Sequence, residues 1–106
     1  MKGVVLDDAA VLLADGDTVA TAIADLEAGR SIAADDLPGE QSALEVAEPI
    51  AFGHKLAVTV IDAGEPVRKY GEVIGTATER IEPGEWVHTH NCESNRGRGD
   101  LAEGSA

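Results

Sequence analysis

The sequence predicts a mostly β domain with internal pseudo-symmetry. Its 106 residues are 43% apolar but include only three aromatics, so the core must consist mainly of Ala, Val, Ile and Leu. Apolar runs are short, and Gly, Pro and Asp separate them. A motif of Ile, Ala or Pro, Gly, Glu and Val occurs twice, twenty positions apart. Short strands joined by similar tight turns account for all three observations, in a chain long enough for one domain.

The first half of the chain predicts short strands separated by turns. Residues 3–6 indicate a first strand, and residues 9–14 fit either a strand or one helical turn. Residues 18–26 fit both spacings, and we interpret them as a strand because Ala28-Gly29-Arg30 closes the segment. Residues 33–48 indicate short strands joined by exposed acidic turns, with a strand at 44–46 and a flap as the alternative.

The second half contains the repeat. Residues 54–61 predict a strand covered on both faces, with Leu56, Val58 and Val60 on one face and Ala57, Thr59 and Ile61 on the other. Ile61 and Ile81 begin the two copies of the motif, and a weaker third copy begins at Leu26.

Glycines mark the turns of these copies. Pro83 and Gly84 suit the two central positions of a type II turn, because glycine readily adopts the positive φ of the second position. Gly71 and Gly75 bracket a further short strand, and glycine in such positions marks a bulge or a close backbone approach.

Charge limits the class of partner. Twenty acidic and eight basic residues give a net charge of −12, which repels phosphate backbones and anionic membranes, so we expect neither nucleic acid nor a membrane as partner. This repulsion fades at molar salt, where the Debye length is about 3 Å, and the composition favours a halophilic origin over an ordinary acidic cytosolic protein. A single cysteine and the absence of a signal-like or membrane-spanning apolar run predict a cytoplasmic protein.

The three histidines lie between residues 53 and 91. His88 and His90 are two positions apart, so on a strand both imidazoles would point to one face. Such a pair is a common beginning of a divalent metal site, which needs further ligands from elsewhere. The alternative is two surface histidines on an edge strand.

Other polar residues of the same stretch are candidates for acid-base chemistry. His54 could exchange a proton with a substrate, and Lys55 could pair with a substrate carboxylate, unless the two are a loop histidine and a solvated lysine. Tyr70 is either a packed ring or a substrate contact. Glu72 is a base, a ligand or one surface acid among many.

The remaining candidates lie near the end of the chain. Asn91 could bind a substrate hydroxyl or cap a turn. Arg96 and Arg98 suit carboxylates, either on a sugar acid or on an acidic patch of a partner, and we expect them on a flexible tail that orders on that partner. Nothing near Cys92 indicates an activated thiolate.

Several segments together resemble one known family. Three segments resemble the SAF-type domain of the altronate and galactarate dehydratases. They are Gly53-His54-Lys55, Lys69-Tyr70-Gly71-x-x-Ile74-Gly75 and Val87-His88-Thr89-His90-Asn91. Residues 93–101 resemble the end of versions of this domain that are separate small subunits, including that of sulfolactate sulfo-lyase.

This resemblance implies a β-clip fold over residues 1–92, followed by a tail over residues 93–106. It implies a small subunit that acts with a large dehydratase subunit, eliminating water from a sugar acid such as altronate to give a 2-keto-3-deoxy acid. A large catalytic portion is absent, so it is either a separate polypeptide or the chain is a fragment, and the tail favours a natural end. The alternatives are a sulfolactate sulfo-lyase subunit and a non-catalytic module that binds carbohydrate or a partner, with a homo-oligomer in isolation as a further expectation.

The expected site follows from the resemblance and the residue chemistry together. The cofactor is a divalent metal, Fe²⁺ first, with Mn²⁺ and Mg²⁺ as alternatives, and His88 and His90 are its predicted ligands. The predicted catalytic residues are His54, Lys55 and Glu72. The predicted substrate contacts are Tyr70, Asn91, Arg96 and Arg98.

Overall fold

A computed structural model describes residues 3–14, 16–33, 37 and 41–94, and all regular structure in these ranges is β. Ten short strands follow one another: β1 (Val4–Leu6), β2 (Ala10–Leu12), β3 (Val19–Ala22), β4 (Ser31–Ala33), β5 (Ala43–Glu45), β6 (Lys55–Ala57), β7 (Pro66–Lys69), β8 (Glu72–Ala77), β9 (Trp86–Val87) and β10 (Cys92–Ser94). The mostly β prediction is confirmed, and the ambiguous segment at residues 9–14 contains a strand. Within the described ranges, no helix is long and apolar enough to cross a membrane.

The strands form three antiparallel sheets. The largest has the order β1-β2-β3-β6-β9, the second the order β10-β8-β7, and β4 pairs with β5 in the third. Two hydrophobic clusters fill the spaces between them. The first contains Leu6, Ile32, Ile50 and Leu56, whereas the second contains Val19, Ile61, Ile81 and Val87. Small aliphatic side chains therefore build the core, as the composition predicts.

The two copies of the repeat pair with each other. Ile61 N donates to Ile81 O at 2.9 Å, and Ile81 N donates to Ile61 O at 2.7 Å. The glycines behave alike, because Gly64 N donates to Ala77 O and Gly84 N donates to Ala57 O, both at 2.8 Å. Corresponding donors and corresponding acceptors are again twenty positions apart. The two copies are thus related by an approximate two-fold rotation, as pseudo-symmetry predicts.

A second pair of turns repeats this arrangement in the first half of the domain. Leu26 and Ile50 exchange backbone hydrogen bonds of 2.8 and 2.9 Å. Gly29 and Gly53 have φ of +89° and +84°, close to the +88° and +90° of Gly64 and Gly84. The described residues therefore contain four equivalent glycine turns, in two pairs. The turn that begins at Ile50 was not predicted, because it keeps only the apolar residue and the glycine of the motif.

Glycines also allow close backbone approach. The turn at residues 82–85 has a Glu85 N to Glu82 O hydrogen bond of 3.1 Å, which confirms the predicted turn, and a Cβ on Gly84 would collide with the carbonyl oxygen of Glu45. A Cβ on Gly75 would lie 2.6 Å from Glu93 O. The neighbouring strand β7 has a register shift between Val67 and Arg68. Both features expected of Gly75, a close approach and a nearby bulge, are present.

The predicted strand at residues 54–61 is shorter than expected. It ends at Ala57, although Leu56 and Val58 contact the first cluster and Ala57 and Ile61 the second, as the alternation predicts. The reason is that the partner strands turn away: Ala57 O accepts from Gly84 N, Thr18 N donates to Arg68 O, and Val58 O accepts from Gln41 Nε2. After Ala57 the chain therefore leaves the ladder, and the side chain of Val60 is 37% exposed.

Two matched substitutions test the role of the turn glycines. Gly64→Ala should lower the free energy of unfolding by about 1–3 kcal/mol, because alanine is strained at positive φ. A Cβ at Gly64 would meet no described atom within 4 Å, so this variant measures strain alone. Gly84→Ala should cost clearly more, because it adds the collision with Glu45. Urea denaturation measures both, and equal losses would show that the turn does not pack as described.

Candidate functional site

The indole ring of Trp86 is surrounded by the three histidines. The His88 ring stacks on it, with centroids 4.7 Å apart and an interplanar angle of 9°. The centroids of His54 and His90 lie 5.5 and 5.3 Å from that of Trp86. His54 and His88 are 5.8 Å apart. We call these four residues the Trp86 cluster. The structure thus brings together all three histidines selected from the sequence.

The glycine turns and one strand pairing assemble this cluster. His54 is the last residue of the turn that begins at Ile50, and Trp86 follows directly on the turn that begins at Ile81. Strands β6 and β9 then pair so that Leu56 lies opposite Trp86. Side chains two positions apart on a strand share a face, so His54 lies on the same side of the sheet as Leu56. On that side the His54 ring meets Trp86. Backbone pairing therefore fixes the distance between the two rings.

His88 and His90 lie in a turn and not on a strand, so the strand geometry predicted for them is wrong. Strand β9 ends at Val87, because the side chain of Asn91 takes over the hydrogen bonds of the backbone. Asn91 Oδ1 accepts from His88 N at 3.0 Å, and Asn91 Nδ2 donates to Trp86 O at 2.8 Å. Asn91 is 3% exposed and caps this turn, the alternative proposed for it from the sequence. Its predicted contact with substrate stays a prediction.

Lys55 does not share a face with His54. It lies opposite Val87 and Thr21, on the face of the sheet that carries the second hydrophobic cluster. Its charge acts there on Cys92, although burial is the larger effect and raises the pKa of the Cys92 thiol. A thiol with a raised pKa is mostly protonated at neutral pH, which agrees with an unreactive cysteine.

Tyr70 and Glu72 lie at the other end of strand β3. The backbone of Tyr70 binds the side chain of Asp17, which precedes β3, whereas the backbone of His54 pairs with Ala22, the last residue of β3. Five residues separate Asp17 from Ala22, or roughly 16 Å at about 3.3 Å per residue. The Tyr70 side chain is 72% exposed, so its interpretation as a packed ring is wrong. The ring of Tyr70 does not contact a histidine ring within the described residues.

The end of the chain bears on two further predictions. Arg96 and Arg98 lie outside the described residues. The first residues assigned to the tail, Glu93 and Ser94, belong to strand β10 and pair with Thr76 and Gly75.

Sequence reasoning missed two residues that organise the site. Trp86, one of only three aromatic residues, is given no role by the sequence, yet all three histidines contact it. Its indole Nε1 is buried without a hydrogen-bond partner among the described residues. Glu48 accepts a 3.2 Å hydrogen bond from Trp86 N, so a carboxylate holds the backbone at the base of the cluster. No spacing in the sequence links residue 48 to residue 86, whereas the single Trp beside two histidines was a usable signal.

The donors of the Trp86 cluster do not make a complete metal centre. The described ranges contain no group of three or more His, Cys, Asp or Glu side chains placed to hold an ion. The three imidazoles surround an indole, and the carboxylate of Glu48 at the base of the cluster bonds to Trp86 N. A divalent ion would therefore need ligands from outside the described residues.

The paired glycine turns, the small antiparallel sheets and the histidines around Trp86 define a small β domain of the SAF type. Residues 8–95 match the model of the altronate/galactarate dehydratase SAF domain. The chain therefore belongs to this family.

Relatives from two kinds of enzyme resemble the chain. It is 39% identical to altronate dehydratase of Escherichia coli over 79 residues, which are 74% of this chain and 15% of that protein. It is 47% identical over 47 residues to the (2R)-sulfolactate sulfo-lyase subunit alpha of Paracoccus pantotrophus, which are 44% of this chain and 70% of that subunit. The chain thus spans about one seventh of the altronate dehydratase and most of the lyase subunit.

The cap formed by Asn91 can be tested by one substitution. Asn91→Asp keeps the acceptor for His88 N but loses the donor to Trp86 O and faces that carbonyl with a carboxylate. We expect a free energy of unfolding lower by about 1–3 kcal/mol and altered fluorescence of Trp86, the only tryptophan. Thr89→Ala, in the same turn but exposed, is the control. Unchanged stability and emission for Asn91→Asp would contradict the capping role.

Proposed function

We propose that this domain supplies one wall of the active site of a sugar-acid dehydratase whose catalytic remainder lies outside it. Two observations support the proposal. The family and the altronate dehydratase relatives are named for sugar-acid dehydration. The Trp86 cluster gathers every histidine of the chain at one place, but the described residues do not complete a site there.

The observation that carries the proposal is the identity of the residue at position 54. In the two turns of the repeat, Glu65 Oε1 accepts from Asp62 N at 2.9 Å, and Glu85 Oε1 accepts from Glu82 N at 2.8 Å. His54 holds the equivalent position in the turn that begins at Ile50, and its ring contacts Trp86 and His88. Arg30 holds this position in the turn that begins at Leu26 and donates to Asp7 O. Of the two turns without Glu, only the one with His54 therefore contributes to the Trp86 cluster, and a departure from the local pattern that joins such a cluster is expected at a functional position.

The elimination requires a base and an acid. A base removes the proton from the carbon that bears the carboxylate, the hydroxyl on the next carbon leaves as water after an acid protonates it, and the resulting enol becomes the ketone. Imidazole can accept or release a proton near neutral pH. We therefore assign one of these two proton transfers to His54. Trp86 and His88 fix the orientation of its ring, and they shield one side of it from water.

A divalent metal, with Fe²⁺ as the predicted ion, would be held by His88 and His90 together with ligands of the catalytic remainder. Such an ion stabilises negative charge on the substrate carboxylate. The described residues support only a partial set of donors. Lys55 remains a proposed partner for a carboxylate, but on the face of the sheet opposite the Trp86 cluster. Glu72 and Tyr70 lie at the opposite end of β3 from His54, too far away to act with it directly.

A second candidate is a subunit of a sulfolactate sulfo-lyase. It is favoured by the match that spans 70% of the Paracoccus pantotrophus subunit. Removal of the same type of proton followed by departure of sulfite, in place of water, needs the same groups on this chain. Assays of the assembled enzyme with altronate and with sulfolactate distinguish the two.

The assembled enzyme also distinguishes catalysis from simple binding. We expect no turnover from this chain alone and loss of most turnover and bound metal when His88→Ala and His90→Ala are combined in the complex. Thr89→Ala, between them and exposed, is the matched control. Metal content is measured by elemental analysis and turnover by product formation. A double variant with full metal content and turnover would favour a binding module that does not take part in catalysis, and turnover by the isolated chain would refute a dependent subunit.

A further inference from the structure

The hairpin between β7 and β8 carries a second unusual feature, separate from the histidines. We call Arg68, Lys69, Tyr70 and Gly71 the hairpin tip. Lys69 pairs with Glu72, so Tyr70 and Gly71 form a two-residue loop, and both have positive φ, +58° and +75°. This is the backbone of a type I′ turn, which favours Asn, Asp or Gly at its first position.

Tyrosine is a poor residue for that position. A bulky side chain at positive φ is strained because its Cβ approaches the backbone. The side chain of Asp17 holds the loop in place, since its two oxygens accept from Tyr70 N at 2.8 Å and from Gly71 N at 2.9 Å. Asp17 also accepts from Ala14 N at 3.0 Å and is 1% exposed. A buried carboxylate thus fixes a strained aromatic residue.

The strain brings no packing within the domain. The ring of Tyr70 makes no aromatic contact among the described residues, and it projects into solvent. Val73, on the same hairpin, is a further exposed apolar residue. Strain that the fold maintains without a gain in packing is expected where the side chain is needed for function.

The charge of the hairpin tip is opposite to that of the protein. Arg68 and Lys69 are adjacent cations in a chain of net charge −12, and neither forms a salt bridge within the described residues. Arg80, by contrast, bonds to Asp62 and Glu82. Glu72 lies opposite Lys69, whereas Arg68 lies opposite Val73 and faces no acid across the hairpin. A cation in this position beside an exposed aromatic ring is complementary to an acidic surface.

We propose that the hairpin tip docks this domain onto an acidic surface of the catalytic remainder of the dehydratase, with Tyr70 as the anchor. The inference rests on the proposed function. A protein fits better than a small molecule, because the tip of a hairpin is convex whereas small ligands bind in concave sites. Tyr and Arg are also the residues that most often dominate protein interfaces. In the altronate dehydratase relative, the segment matched by this chain is 15% of a much larger protein.

The test uses the catalytic partner that co-purifies with the full chain. The wild-type chain is titrated into it by calorimetry, with Tyr70→Asn and Lys69→Glu as the variants and Val5→Ala, exposed on β1, as the control. Asparagine tolerates positive φ, so Tyr70→Asn should raise Tm by several degrees while weakening binding at least tenfold. Lys69→Glu should weaken binding at least tenfold at low salt and less at high salt. Val5→Ala should bind as the wild type does.

The outcomes separate the two proposals. Binding of Tyr70→Asn and Lys69→Glu with wild-type affinity would overturn docking by the hairpin tip and leave the proposed function intact. Unchanged binding together with a raised KM for altronate in the assembled enzyme would also overturn it, because the hairpin tip would then contact substrate. Absence of binding by the wild-type chain would refute both docking and assembly with such a catalytic portion.

Discussion

The positive φ of the turn glycines is the constraint on which the rest of this domain depends. Gly29, Gly53, Gly64 and Gly84 adopt nearly the same backbone angle, and each lies in a turn whose first residue exchanges hydrogen bonds with the first residue of another turn. Any other residue would pay for that angle in strain. Strands of two to six residues are too short to define a fold by themselves, so the paired turns set their positions. His54 and Trp86 each follow a turn glycine by one or two positions, and the site inherits its geometry from this scaffold.

Much of this scaffold could be predicted, because the repeat consists of residues, such as glycine in a turn, whose structural role is clear from their chemistry. Ile61, Gly64 and their counterparts twenty positions later predict a strand end, a turn and pseudo-symmetry. The turn and the pseudo-symmetry are present, whereas Ile61 and Ile81 form an isolated bridge beyond the ends of β6 and β8. The turn at Ile50 escaped notice because its sequence departs from the repeat: Phe52 and His54 occupy positions that are Ala or Pro and Glu in the repeat. Such departures hide an equivalent turn from the sequence without changing the φ of its glycine.

The residues of the candidate site could be predicted better than their arrangement. The clustering of three histidines in one stretch indicated the right place, and all three meet at Trp86. The local shape was wrong, because the buried side chain of Asn91 replaces a strand ladder with a turn, and hydrogen bonds of this kind depend on burial that spacing does not reveal. The separation of Tyr70 from the histidines follows from the direction of β3, which is a property of the sheet as a whole.

The two ends of β3 differ in chemistry, and this difference suggests a division of roles. One end presents imidazoles beside an indole, which suits proton transfer and metal binding. The other presents a strained tyrosine and two cations, which suits attachment to a larger protein. Within the described residues neither end completes a metal site, and the chain matches only a small part of its altronate dehydratase relatives.

The central claim, that His54 has exchanged a structural role for a functional one, is tested most directly by His54→Glu. This substitution restores the residue that caps the two turns of the repeat. The free energy of unfolding should stay within about 1 kcal/mol of the wild-type value or rise, because the new carboxylate can accept from the backbone of its own turn. Turnover of the assembled enzyme should fall at least tenfold. Full turnover by His54→Glu would contradict the claim, because His54 would then be only another turn residue.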